Sequence, residues 1–188
     1  LAQSPGLKAV EMFQAIASGK IKAVWIMGTN PVVSLPDADR VRAALLDCEL
    51  VVVSDCVQHT DTTACADILL PAAAWGEKDG TVTNAERRIS RQRAFLLAAG
   101  EVRPDWVVTQ VAQRLGFAEA FPYTRPAQIF REHASLSGFE NDGQRAFDIS
   151  ALAELSDAQY DLLEPVQWPV NQRAPNGTAR LFGDGQFY

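Results

Sequence analysis

The sequence of 188 residues contains little cysteine and histidine. Its three cysteines, Cys48, Cys56 and Cys65, form no Cys-x-x-Cys pair, and there are only two histidines. An odd number of widely spaced cysteines argues against a disulfide framework and indicates a reducing compartment, which predicts a cytoplasmic protein. With so few nitrogen and sulfur ligands, we predict no zinc or iron–sulfur site within this stretch.

The sequence also lacks an excess of basic residues and any long apolar run. It has 17 Lys and Arg against 23 Asp and Glu, a formal net charge of −6, which argues against broad binding to nucleic acid. No run approaches the roughly 18 apolar residues of a membrane helix, and the start, LAQSPGLKAV, does not resemble a secretory signal. The chain begins without Met and stops just after a Gly-rich turn, so we expect a piece of a longer polypeptide.

Common cofactor and nucleophile motifs are missing as well. The loop after the first predicted strand reads GTNP, so the G-x-G-x-x-G fingerprint of dinucleotide-binding proteins is absent. No Ser or Cys stands in a G-x-S-x-G elbow, and a nucleophile triad therefore has no support. We predict no catalytic residue in this chain.

The sequence does show a regular alternation of strand and helix patterns over its first 116 residues. Apolar, β-prone runs predict strands at 21–27, 49–55 and 67–71, and helical periodicity predicts helices at 6–19, 37–48 and 103–117. This alternation predicts an α/β fold with a doubly wound, mostly parallel sheet and helices on both faces. The unbroken run Val51–Val53 favours a strand that is buried on both faces.

The remaining sequence is less regular. Partial alternation over 81–94 predicts one or two short strands, and Pro104 and Gly116 suit the start and the end of the third helix. The predicted buried stripe of that helix consists of Val107, Val108, Val111, Ala112 and Leu115. We predict one domain over 1–163 and a loop-rich connecting segment over 164–188, leading toward a further C-terminal domain.

Candidate ligand-binding residues follow the first two predicted strands. In such a sheet the carboxyl ends of the strands form the crevice where a nucleotide binds. Asn30 in the first loop can donate to a phosphate. Asp55 directly follows the Val run, where a carboxylate can accept hydrogen bonds from ribose hydroxyls or can cap the next turn. Ser54 is either a ligand contact or an ordinary loop hydroxyl.

Two further charged residues have two interpretations each. Lys78, in GEKDG, could neutralise a pyrophosphate or could be a turn lysine paired with Glu77 or Asp79. Asp105 could accept from N1–H and N2–H of guanine, or it could only complement the dipole of its helix. The run ERRISRQR could form a basic strip for anions, but a solvated strand face with Glu86 as counter-charge is the more common arrangement.

Long stretches of the chain resemble the molybdopterin oxidoreductase family. They are IMGTNPVVSLPDADRVRAAL, VVVSDCVQHTDTTACADILLPAAAWGEKDGTVTNAERRISRQR and GEVRPDWVVTQVAQRLGF. The resemblance implies the third domain of such an enzyme, which has a dinucleotide-binding-like fold and holds the nucleotide end of one molybdopterin guanine dinucleotide. Matched position by position, the family's cofactor contacts are Asn30, Ser54, Asp55, Lys78 and Asp105.

For the parent enzyme, the resemblance implies molybdenum-dependent reduction of nitrate to nitrite in nitrate assimilation. It implies a molybdenum bis(molybdopterin guanine dinucleotide) cofactor and a 4Fe-4S cluster that belongs to the full-length enzyme and not to this fragment. The implied partners are the remaining domains and an electron donor, namely a flavin subunit, ferredoxin or flavodoxin. Nucleic acid and membrane are not expected partners. The alternatives are a formate dehydrogenase-like molybdoenzyme and a non-enzymatic nucleotide-binding or interaction module.

Overall fold

The computed structural model describes residues 3–98, 106–179 and 181. The chain divides into two compact units, which are described one at a time. The first comprises Leu1–Trp75 and Ala98–Val108, and the second comprises Gly76–Leu97 and Thr109–Tyr188. The domain boundary expected at residue 163 stays a prediction.

A parallel sheet of three strands forms the centre of the first unit. The strands are β1 (Ala23–Met27), β2 (Leu50–Asp55) and β3 (Ile68–Pro71), hydrogen-bonded in the order β1-β2-β3. The helices between them are α2 (Pro31–Ser34) and α3 (Ala38–Leu46), and α1 (Ala9–Ala17) precedes β1. The α/β class and the parallel sheet predicted from the sequence are confirmed.

One face of this sheet packs against the helices of the first unit. Val51 and Val53 of β2 are buried and belong to the same apolar cluster as Ile16 of α1 and Leu45 of α3. Because side chains alternate along a strand, Val52 lies on the opposite face, and it is only half-buried. The prediction that the valine run is buried on both faces therefore holds fully only for the helix-covered face.

The second unit contains an antiparallel sheet. Its strands are β4 (Gly80–Thr83), β5 (Arg88–Gln92) and β6 (Val166–Gln167), in the order β4-β5-β6. The helices α5 (Pro126–Gly138) and α6 (Asp157–Asp161) lie in the same unit. Ile89 of β5 packs in an apolar core with Phe130, Ile149, Tyr160 and Val170. The short strands predicted over 81–94 are confirmed as the hairpin of β4 and β5.

Helix α4 (Val107–Ala112) continues into a π-helical turn over Gln113–Phe117, where Gly116 has φ +90°. The predicted buried stripe was wrong in two positions, since Val108 is 48% exposed and Leu115 is 69% exposed. The buried positions are Thr109 and Ala112. Both side chains are small. The buried face of α4 is therefore not its most apolar face but the neighbouring one.

Two arginines of ERRISRQR, Arg91 and Arg93, join segments of the second unit. The side chain of Arg91 is 2% exposed and forms an ion pair with Asp79 at 2.9 Å, and its guanidinium lies 4.0 Å from the ring centroid of Tyr160. Burial raises the pKa of Tyr160. Arg93 donates to the backbone oxygen of Asp161 at 2.6 Å. Both side chains therefore stabilise the second unit. The prediction of a solvated strand face is wrong for Arg91, whose side chain is buried.

Candidate functional site

The carboxyl ends of β1, β2 and β3 lie at one edge of the parallel sheet. Met27 pairs with Ser54, and Asp55 pairs with Pro71. Gly28 follows β1 with φ +60°, and its N–H donates to the backbone oxygen of Ser54 at 2.9 Å. The positive φ favours glycine and turns the chain at the level of Asp55, so the two predicted loops meet at this edge.

Asp55 performs the turn-capping role and keeps one oxygen available. Its Oδ1 accepts from the N–H of Val57 at 2.9 Å, which is the local bond expected of an Asp that begins a turn. Its backbone oxygen accepts from the N–H of Ala72 at 2.9 Å. Its second carboxylate oxygen, Oδ2, has no hydrogen-bond partner within 3–98, 106–179 and 181. The two interpretations of Asp55 are therefore compatible, because each uses a different oxygen.

Ser54 is held by a tryptophan of the neighbouring strand. The indole Nε1–H of Trp25 donates to Ser54 Oγ at 2.9 Å, and the bond is partly buried. A serine hydroxyl can accept and donate at once, so its proton remains free for a further acceptor at the edge of the sheet. No local sequence pattern indicates this bond, because it joins residues 29 positions apart.

Asn30 lies at the N-terminal boundary of α2 and is half-buried. Its Oδ1 accepts from the hydroxyl of Thr62 at 2.6 Å. Its Nδ2 makes no hydrogen bond within the described part of the chain. Asn30, Ser54 and Asp55 thus lie at one edge of the sheet. The groups left for a ligand among the described residues are Asn30 Nδ2, the hydroxyl proton of Ser54 and Asp55 Oδ2.

Lys78 belongs to the second unit, between a 3-10 turn (Trp75–Glu77) and β4. It is half-buried. Among the described residues it forms no ion pair, and its neighbour Asp79 binds Arg91 at 2.9 Å. Pairing of Lys78 with Asp79 is not seen, and contact of Lys78 with a pyrophosphate stays a prediction. Asp105 lies outside the described residues, so its role stays a prediction.

No group of three or more His, Cys, Asp or Glu within 3–98, 106–179 and 181 is close enough together to hold a metal ion. Cys48, Cys56 and Cys65 are free thiols, and burial raises the pKa of Cys65. In the same part of the chain, no helix combines the length and apolar character needed to cross a membrane.

Residues 1–112 match the family model described as Molybdopterin oxidoreductase. The chain belongs to the molybdopterin oxidoreductase family. Membership implies a molybdopterin cofactor. The donors that Asn30 and Ser54 present at one edge of the parallel sheet suit the anionic phosphate of such a cofactor, so these residues of the first unit fit the group.

Two curated nitrate reductases match nearly the whole chain. The chain is 62% identical over 173 residues to a nitrate reductase of Klebsiella oxytoca, covering 92% of this chain and 20% of the relative. It is 51% identical over 192 residues to a nitrate reductase of Shewanella frigidimarina, covering 100% of this chain and 20% of the relative. The F420-dependent formate dehydrogenase subunit alpha of Methanocaldococcus jannaschii is 43% identical over 129 residues, covering 68% of this chain and 19% of the relative.

The chain thus spans about a fifth of the length of these family members. A solved structure, acetylene hydratase from Pelobacter acetylenicus, superimposes with a TM-score of 0.61 and 21% identity, covering 83% of this chain and 20% of that protein. At this identity the likeness concerns the fold alone. It agrees with the α/β class predicted from the sequence.

Proposed function

We propose that this chain is the part of a molybdenum-dependent nitrate reductase that anchors the nucleotide end of a molybdopterin guanine dinucleotide. The observation that carries the proposal is the edge formed by Asn30, Ser54 and Asp55. Each of these side chains is held by one internal bond, and among the described residues Asn30 Nδ2, the hydroxyl proton of Ser54 and Asp55 Oδ2 have no partner. Together with membership of the family, this arrangement supports a binding role.

Each residue has a distinct task in this proposal. Asp55 Oδ2 accepts hydrogen bonds from the ribose hydroxyls, and the Nδ2 of Asn30 and the hydroxyl of Ser54 donate to phosphate oxygens. Lys78 supplies a compact positive charge for the pyrophosphate. Asp105 is the proposed acceptor for N1–H and N2–H of guanine. All five residues bind and orient, and none is assigned a reacting role.

The redox chemistry belongs to the parent enzyme. When bound, the molybdenum cofactor supplies the two-electron chemistry that reduces nitrate to nitrite. The same proposal includes a second such dinucleotide, a 4Fe-4S cluster, the remaining domains of the polypeptide and a cytoplasmic location. It also includes electron transfer from a flavin subunit, ferredoxin or flavodoxin.

The comparisons favour nitrate over formate as the substrate of the parent. The nitrate reductases match nearly the whole chain, whereas the formate dehydrogenase matches a smaller share at lower identity. A formate dehydrogenase-like parent is therefore the less supported alternative. A non-enzymatic interaction module would have no reason to distinguish GDP from ADP, which a binding measurement detects.

Replacing Lys78 by alanine in the full-length parent enzyme is expected to lower the molybdenum and guanine nucleotide content of the purified protein. A charge-assisted hydrogen bond contributes about 1.5–3 kcal/mol, equivalent to roughly 10- to 100-fold in affinity. The measurement is metal analysis together with nucleotide release, with circular dichroism to confirm the fold. Lys20→Ala is the matched control, because exposed Lys20 precedes β1 and so lies toward the opposite edge of the sheet. Unchanged molybdenum occupancy in Lys78→Ala counts against the role.

A further inference from the structure

The side chain of Asn30 does not cap helix α2, although Asn30 lies at the N-terminal boundary of that helix. An Asn at the N-terminal boundary of a helix ordinarily accepts a hydrogen bond from the N–H of the second or third helical residue. Here Asn30 makes no such bond. The N–H of Val32 instead donates to Thr62 Oγ1 at 3.2 Å, so a threonine from a different segment caps α2.

Thr62 also fixes the direction of the Asn30 amide. Thr62 is 0% exposed, and a buried hydroxyl proton needs an acceptor. Asn30 is the acceptor that the described residues offer, with 2.6 Å between Thr62 Oγ1 and Asn30 Oδ1. Because the threonine donates, the atom facing it must be the amide oxygen and not the amide nitrogen. The chemistry therefore turns Oδ1 toward Thr62 and leaves Nδ2 with two N–H groups that no described residue accepts from.

We propose that Thr62 is a positioning residue, which holds the Asn30 amide so that its Nδ2 donates to a phosphate of the bound nucleotide. This inference rests on the proposed function. Thr62 satisfies the N–H of Val32 and thereby releases Asn30 from capping. Without the threonine hydroxyl, Asn30 Oδ1 is free to turn toward that N–H and take over the cap, which withdraws the amide from the ligand.

The test is a calorimetric titration of the chain with GDP, in the wild type and in matched variants. Thr62→Val removes the hydroxyl at nearly constant shape, and Thr62→Ser retains it. A hydrogen bond to a charged group such as a phosphate contributes about 1.5–3 kcal/mol, so Thr62→Val and Asn30→Ala are each expected to weaken binding by roughly 10- to 100-fold. Thr62→Ser is expected to bind within about twofold of the wild type. Since the two residues act as one unit, the double variant should be no weaker than Asn30→Ala alone.

Asn30→Asp tests the orientation without altering Thr62. The aspartate still accepts the threonine hydroxyl, but it presents a negative oxygen where the amide presented N–H groups. Its affinity for GDP should fall below that of Asn30→Ala, because like charges repel. Wild-type affinity in Asn30→Asp would overturn the inference, and this variant also serves if Thr62→Val does not fold.

A second readout needs no nucleotide. In the free chain, Thr62→Val should shift the side-chain amide resonances of Asn30 in a nitrogen-15 spectrum, while Thr62→Ser should leave them close to their wild-type positions.

If Asn30→Ala weakens GDP binding but Thr62→Val changes neither affinity nor resonances, the positioning role is wrong and the proposed function stands. If the losses in the double variant add, the positioning role is likewise wrong. If the wild type does not bind GDP, or if Asn30→Ala binds it unchanged, the anchoring function fails at this edge together with the inference.

Discussion

Replacing Asp55 by asparagine is expected to weaken the binding of GDP by about tenfold or more, because a hydrogen bond to a charged group contributes about 1.5–3 kcal/mol. Asparagine retains an Oδ1 that can accept from the N–H of Val57, so the turn after β2 should survive. It replaces Oδ2 with an amide nitrogen, which cannot accept from ribose hydroxyls. The measurement is a GDP titration paired with urea unfolding, in which the free energy of unfolding should change by less than about 0.5 kcal/mol.

The matched control for this prediction is Asp61→Asn. Asp61 lies in the loop after β2 and pairs on the surface with Arg42 at 2.9 Å, so its contribution to stability is small. GDP affinity should be unchanged in this control. If Asp55→Asn binds GDP like the wild type, and only Asp55→Ala loses stability, then Asp55 is a turn cap and not a ligand contact.

Replacing Arg91 by methionine is expected to lower the free energy of unfolding by about 2–3 kcal/mol. Removing one partner of a buried ion pair typically costs about 3–5 kcal/mol, and the value is reduced here because the acids are partly exposed. Arg91 binds Asp79 at 2.9 Å and approaches Asp161 at 3.7 Å. It also lies over the ring of Tyr160, a contact that methionine replaces only in part. Urea unfolding followed by circular dichroism measures the loss.

Arg88→Met is the control on the same strand, because the guanidinium of Arg88 makes no hydrogen bond or ion pair with any residue that the structure describes. Its expected effect on the free energy of unfolding is within about 0.5 kcal/mol. Equal stability of the Arg91 and Arg88 variants would show that the buried ion pair is not what holds β4 and α6 to β5.

Local patterns predicted most of the first unit. The β-branched run Val51–Val53 and the helical spacing of Ile16, Val41 and Leu45 each specify an element, and their alternation specifies a parallel sheet. Contacts between distant segments were not predictable in the same way. The two-residue strand β6 exists because Val166 pairs with Ile89, and no local pattern indicates that pairing.

In the candidate site, too, positions set by local patterns could be predicted and contacts between distant segments could not. Asn30, Ser54 and Asp55 could be placed at one edge because parallel strands end at the same edge of a sheet. Trp25 and Thr62, which hold two of these side chains, were missed because their bonds span 29 and 32 residues. The buried role of Arg91 was missed because an arginine on a short strand is more often solvated. The contacts of Lys78 and Asp105 with a nucleotide remain predictions.

The central claim is that this chain recognises a guanine nucleotide, and parallel titrations with GDP and ADP test it most directly. We expect GDP to bind at least about tenfold more tightly, since a site that hydrogen-bonds both guanine donors leaves its acceptors unpaired when adenine is bound. Asp105→Ala should reduce that preference to near equality. Equal affinity for GDP and ADP in the wild type, or a preference that survives Asp105→Ala unchanged, would contradict the account.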